Sequence, residues 1–169
     1  MNLEQAQEAF IDQWGAMASA WGVNRSMAQI YALLLVQLEA LNTDEIMGRL
    51  SISRGNVSMS VKDLMEWGLV YKVFKSGDRK DYFEAEKDMW VAMSRMIIER
   101  KRKELDPMLR QIERLRDIED NNANAEELQA FNATLKSIYE MGKTTDNLLS
   151  AIHRKKKTKI IKWINKLKR

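Results

Sequence analysis

Residues 42–87 read NTDEIMGRLSISRGNVSMSVKDLMEWGLVYKVFKSGDRKDYFEAEK, and the order of signals in them leaves few folds open. Asn42 and Glu45 form a capping-box-like pair ahead of Ile46, Met47 and Leu50, which predicts a short helix. Ser53 is a good N-cap for a second helix, in which Val57, Val61 and Leu64 recur at spacings of four and three. Gly68 after Trp67 marks its C-terminal end, with Leu69 packing back. β-branched and aromatic residues then flank Ser76-Gly77-Asp78, a turn signal for a two-stranded hairpin with a charged tip. Two short helices joined by a tight turn and followed at once by such a hairpin have the order of a winged helix-turn-helix.

The flanks are helical. Leu3, Phe10, Trp14, Met17 and Trp21 form one long apolar seam that Gly22 stops. SMAQIYALLLVQL follows, with Ser26 as a possible cap and a run, LLLV, that is apolar all round and belongs at the centre of a core. From Asp88 a long helix carries Trp90, Met93, Ile97, Leu105, Met108, Ile112 and Leu115, and Asp106-Pro107 should kink or restart it. After a polar linker, Asn124 and Glu127 can cap a last helix bearing Leu128, Phe131, Leu135, Ile138, Leu148 and Ile152. The expected fold is mostly α: a winged helix-turn-helix with a two-stranded β-hairpin wing, flanked by long N- and C-terminal dimerisation helices. The expected divisions are 1–24, an N-terminal dimerisation helix; 25–87, the winged helix-turn-helix; 88–152, a helical dimerisation region; and 153–169, a basic tail. The two seams exceed what a small winged helix can cover, which predicts a homodimer.

One proline and seven glycines in 169 residues agree with a mostly helical chain. The absence of cysteine excludes a disulfide framework, a cysteine zinc site and thiol redox sensing within it. MNLEQAQEAF lacks the marks of a signal peptide, and no stretch approaches the roughly 18 apolar residues of a membrane span, so a cytoplasmic protein is expected. Nine of the 28 Lys and Arg residues lie in 154–169, leaving 19 against 24 acidic residues in 1–153. The basic balance is therefore largely the tail's.

The second short helix raises a chemical question, because a glycine and an asparagine in its first turn cost stability relative to alanine. With Val57 turned inward, the opposite side carries Gly55, Ser58, Met59, Lys62 and Glu66, with Asn56 and Asp63 at one flank. Such a surface suits the major groove of DNA: the backbone can approach closely, Asn can pair with adenine, Arg with guanine, and Ser with either polarity. At the hairpin, Lys75, Arg79 and Lys80 surround the turn, where an arginine can follow a backbone or enter the minor groove, and Asp78 can orient Arg79. The blander readings are a Ser/Asn-rich cap and a solvated basic hairpin; adjacency in winged-helix order favours DNA.

The run SISRGNVSMSVKDLMEWGLVYKVFKSGDRKDYFEAE also resembles MarR-type winged-helix regulators, and most closely their GbsR-like branch. SRGNVSM, EWGLV and GDRKDY look like that branch's recognition helix and wing, and IIERKRKELDP like the helix that follows. The resemblance implies a homodimer with interlocking terminal helices, a transcriptional regulator binding a double-stranded operator, and often a small-molecule effector near the dimer interface. Ser53, Arg54, Asn56, Ser58 and Lys62 match the recognition-helix positions and Arg79 the wing arginine, whereas Lys75 and Lys80 rest on charge alone. Two-fold symmetry asks for a pseudo-palindromic operator.

Trp14, Trp21, Tyr31 and Trp90 raise the possibility of an aromatic cage for a quaternary amine effector, since aromatic faces attract such cations and choline is a ligand in the resembled branch. Aromatics at helical spacing more often fill a core or an interface. His153 lacks a partner at metal-ligand spacing, so no metal or cofactor is expected. No catalytic carboxylate pair, phosphate loop or nucleophile elbow is recognisable, which speaks against an enzyme. The tail, with Ile160, Ile161, Trp163, Ile164 and Leu167 among lysines, would pack on the dimer or touch DNA nonspecifically in preference to a membrane. The rival from another class is a helical protein- or membrane-interaction module that uses the winged-helix shape or this tail.

Overall fold

Asn2 opens the first helix: its side chain accepts from the Gln5 amide at 2.8 Å, and the Gln5 side chain accepts from the Asn2 amide at 3.1 Å. This helix, α1 (Leu3–Ala20), ends at Gly22, whose φ of 74° lies where a side chain would be strained. In the computed structural model, which describes residues 1–121 and 123–154, the chain divides into two units, Met1–Ala92 and the part from Met93 onward.

In the first unit α2 (Arg25–Val36) is the centre. Ile30, Tyr31, Leu33 and Leu34 are at most 2% exposed, as the all-round apolar run requires. Asn24, not Ser26, caps α2, its side-chain oxygen accepting from the Met27 amide at 3.0 Å. Ser26 lies inside the first turn, where its hydroxyl serves another helix. Onto α2 close Ile46 from α3 (Thr43–Leu50) and Val57, Val61 and Leu64 from α4 (Arg54–Glu66), each worth about 1.5–3 kcal/mol when fully buried. Asn42 and Glu45 make the expected capping box on α3, and Gly68, with φ 68°, ends α4 so that the Leu69 amide bonds the Leu64 carbonyl at 2.8 Å.

The wing is a three-stranded antiparallel sheet, of order β1-β3-β2, not a bare hairpin. β2 (Val70–Val73) and β3 (Tyr82–Ala85) are the expected pair, and β1 (Leu41–Asn42) adds to β3 with Asn42 opposite Tyr82. Two residues are too few to display a strand period, and Asn42 advertises itself as a helix cap because it is one.

The α1 seam divides. Ile11 and Gly15 are what α1 buries on α2; a Cβ on Gly15 would stand 2.6 Å from the Gln29 Cγ, so glycine permits the close approach. Phe10 and Trp14 are half-buried, whereas Leu3, Met17 and Trp21 are exposed, Trp21 at 62%. The expected stripe thus runs along the edge of the packed face.

The second unit holds the later part of α5 (Met89–Arg100), a π-helical turn (Lys101–Leu105), α6 (Asp106–Leu115) and α7 (Ala125–Arg154). Pro107 sits in the first turn of α6, so the restart expected there takes the form of the wide turn just before it. Lys101 Nζ lies 2.7 Å from Asp106 and 2.9 Å from Asp146, joining the wide turn to α7. Asn124 caps α7, accepting from the Glu126 and Glu127 amides. Leu109 is buried, while Met108, Leu115, Phe131, Met141 and Leu148 remain exposed. The readings of the Ile152 and His153 side chains and of the tail beyond Arg154 fall outside the described residues. Among the described residues no helix is long and apolar enough to cross a membrane, and no side-chain cluster could hold a metal ion.

Candidate nucleic-acid interface

Ser53 starts α4 as its N-cap, its hydroxyl accepting from the Asn56 amide at 3.3 Å. From that cap, Arg54, Gly55, Ser58, Met59 and Lys62 all face outward and are exposed. Among the described residues, apart from its chain neighbours and the backbone of its own helix, nothing lies within 4 Å of where a Gly55 Cβ would be. No internal contact therefore demands a glycine, although its presence in a helix costs about 1 kcal/mol relative to alanine. Met59 is 67% exposed one turn later, an apolar group on the same face.

Asn56 does not share this face. Its Nδ2 donates to the Ser26 hydroxyl at 2.9 Å, its Oδ1 accepts from the buried Ser60 hydroxyl at 3.2 Å, and the residue is half-buried. The carboxamide expected to read adenine is occupied in joining α4 to α2. The flank position on the helical wheel is why: there, a short polar side chain is as close to a neighbouring helix as to solvent.

The wing's turn is built on Asp78, which accepts from the Lys80 amide at 2.9 Å and from the Tyr82 hydroxyl at 2.7 Å, next to Gly77 at φ 82°. These donors hold the Asp78 carboxyl below its ordinary value, the Lys80 amide first. Asp78 thus shapes the turn, and Arg79 is not its side-chain partner. Among the described residues the Arg79 side chain has no hydrogen-bond or ion-pair partner, while Lys75 is tied back, 3.3 Å from Glu39 and 4.4 Å above the Tyr82 ring. Lys75 therefore braces the start of the turn, where its carbonyl accepts from the Asp78 amide at 3.2 Å, and Arg79 and Lys80 are the cations that follow it.

Arg54 and Lys80 meet on one carboxylate. Arg54 Nη2 pairs with Asp44 Oδ1, and Lys80 Nζ lies 3.2 Å from Asp44 Oδ2. Lys80 first, then Arg54, keeps the Asp44 carboxyl below its ordinary value, and Asp44 raises that of Lys80. The three residues line a cleft of about 260 Å³ together with Arg79 and Asp81. Asp44 carries no mark in the sequence beyond an acid in the first turn of a helix; its partners lie 10 and 36 residues away.

The aromatic residues do not assemble into a cage. Trp14 and Tyr31 are neighbours at 6.4 Å between centroids, but Tyr31 is buried, with its hydroxyl donating to the Glu86 carbonyl at 3.0 Å, and Trp21 is exposed. Trp90 is half-buried at the start of α5. A cleft of about 130 Å³ beside α1 is lined by other residues, among them Glu4, Glu8, Ile11, Leu33 and Arg49.

α2, α3 and α4 with the sheet define a winged helix-turn-helix, and the exposed first turn of α4 beside a basic hairpin tip is the surface that such a unit offers. The MarR family model matches residues 21–81, the segment that holds α2, α3, α4 and β2, and this segment is similar to the winged helix of that family. The chain is 33% identical over 88 residues to the HTH-type transcriptional repressor GbsR of Bacillus subtilis (strain 168), 52% of this chain and 48% of that protein. It is 24% identical over 88 residues to a putative HTH-type transcriptional regulator, YvaV, of the same organism, covering 52% of this chain and 50% of that one. The chain thus spans about half the length of the curated relatives it matches. A solved structure described as that of a transcriptional regulator superimposes with a TM-score of 0.61 at 19% identity, over 88% of this chain and 97% of that one, which establishes the likeness of fold.

Proposed function

We propose that the protein is a sequence-specific, double-stranded DNA-binding transcriptional regulator, acting in the cytoplasm as a homodimer and not as an enzyme. The observation that carries this reading is Gly55: an exposed, energetically unfavourable glycine with open space around it, in a first turn that also presents Arg54 and Ser58. A helix face kept small against its own stability is what close approach to base edges requires. The names of the GbsR and YvaV relatives support the same reading.

In this reading residues 25–87 hold the DNA, with Ser53, Arg54, Ser58 and Lys62 in a major groove and Arg79 and Lys80 at the flanking backbone or minor groove. Residues 1–24 and 88–152 build the two-fold interface, for which exposed Trp21 and Phe131 supply apolar surface. A pseudo-palindromic operator follows, and a small effector such as a quaternary amine is taken near that interface. Selection of bound duplexes from a random pool by the full chain tests the function. Enrichment of an inverted repeat with half-sites about one helical turn apart, or a multiple of it, is the expected result; no enrichment would refute it. Sedimentation at micromolar concentration should show a dimer.

A further inference from the structure

Asp44 is an acidic residue at the edge of a surface proposed to meet a polyanion. Its position is informative because both of its oxygens are engaged by different parts of that surface. Oδ1 accepts from Arg54, the first residue of α4, and Oδ2 from Lys80 at the wing tip. α3, α4 and the wing are thereby joined at one charge, within the cleft that Arg79 and Asp81 also line.

The way Arg54 is held matters most. The contact uses Nη2 alone, and the guanidinium has five N–H donors in a rigid fork. An arginine held this way by a carboxylate keeps donors free for a base edge while losing the freedom to swing onto phosphates. Lys80 has no such fork; its ammonium is a point charge that either stays on Asp44 or leaves it for a phosphate. One carboxylate can thus aim one cation and restrain the other.

We propose that Asp44 is a specificity-setting positioning residue, which fixes Arg54 as a reader of base edges and withholds Lys80 and Arg54 from indiscriminate phosphate contact. The inference rests on the DNA-binding reading and adds to it a residue that touches no DNA. Random duplex offers phosphates without a matching base edge, so it gains mainly by drawing both cations off Asp44, against the repulsion of the exposed carboxylate. An operator keeps the Asp44–Arg54 pair and uses the other edge of the guanidinium.

The test compares full-length wild type, Asp44→Asn, Asp44→Glu and Asp81→Asn on the selected duplex and on random duplex across a salt series. Asp81→Asn removes one negative charge from the same cleft but acts on Lys72, its ion-pair partner at 2.8 Å. Asp44→Asn should bind random duplex roughly three- to tenfold more tightly, the worth of two exposed ion pairs, with a salt slope steeper by about one to two. Its preference for the selected duplex should fall about tenfold, while Asp44→Glu keeps most of it. The main-chain N–H of Asp44 donates to the Asn42 side-chain oxygen, so the asparagine variant retains that part of the α3 cap, and thermal unfolding verifies its fold. Discrimination unchanged in Asp44→Asn, or lowered equally in Asp81→Asn, would overturn this role and leave the DNA reading standing. A wild type that binds no duplex would overturn both.

Discussion

Asn56 on α4 donates to the hydroxyl of Ser26 on α2 at 2.9 Å, a bond between residues 30 apart in sequence that fixes how the exposed helix sits on the core. The same carboxamide accepts from Ser60, which is 4% exposed and has Asn56 as the partner of its hydroxyl. Asn56→Ala is therefore expected to lower stability by about 1–3 kcal/mol, the cost of leaving buried polar groups unpaired. On DNA it should weaken selected and random duplexes by similar factors. Chemical denaturation and binding titrations read these two effects separately, and a loss confined to the selected duplex would return Asn56 to the groove.

Gly55→Ala should move stability and binding in opposite directions. Helix propensity favours alanine by about 1 kcal/mol, and open space around the site removes any steric offset. The added methyl would stand between the helix and the bases, so affinity for the selected duplex should fall several-fold while the midpoint of thermal unfolding rises. A variant that gained stability and bound unchanged would show that this turn does not approach DNA closely.

Arg79→Ala and Lys75→Ala, four residues apart on one hairpin, should behave differently. Among the described residues the Arg79 side chain has no partner, and its loss should make the salt slope shallower by about one if it lies on phosphate, or remove an A·T preference at the flank if it enters the minor groove. Lys75 is committed to Glu39 and the Tyr82 ring, and its loss should leave the slope nearly unchanged. Equal slopes for the two variants, together with an unchanged base preference at the flank, would mean that the wing points elsewhere.

Acid should loosen the second unit through Asp146. Lys101, by hydrogen bonding, keeps the Asp146 carboxyl below the ordinary value of 3.8, so its contribution is present above that pH and is lost as pH falls through the depressed folded value. Asp106 first, then Asp146, raises Lys101 above its ordinary 10.5; that contribution is present below 10.5 and disappears only as pH rises through the raised value. Asp146→Asn should cost about 1–3 kcal/mol at neutral pH and show a flatter loss of stability below about pH 4 than the wild type. Denaturation midpoints at pH 7 and pH 3 measure both.

Much of this architecture was legible because it is local. The Asn42–Glu45 box, the Ser53 cap, the Val57-Val61-Leu64 face and Gly68 each act within one or two helical turns, and the structure keeps all four. What escaped was non-local. The third strand consists of two residues whose partners, Phe83 and Tyr82, lie in a strand far along the chain, and Asn56 and Asp44 take roles fixed by Ser26, Arg54 and Lys80, which no periodicity connects. Charge identified Lys75 as readily as Arg79, yet only Glu39 and Tyr82 distinguish a brace from a free cation.

Asn42 is the last residue of one strand and the cap of the next helix. Its backbone pairs with Tyr82, its side chain accepts from the Asp44 and Glu45 amides, and Glu45 returns a bond to its N–H at 2.7 Å. The hairpin therefore cannot detach from β1 without disturbing the first turn of α3, which also carries Asp44. Amides in β3 and at the start of α3 are therefore expected to open together in hydrogen exchange, so that a push felt at the wing tip would arrive at the helix that precedes α4 as a change in fraying.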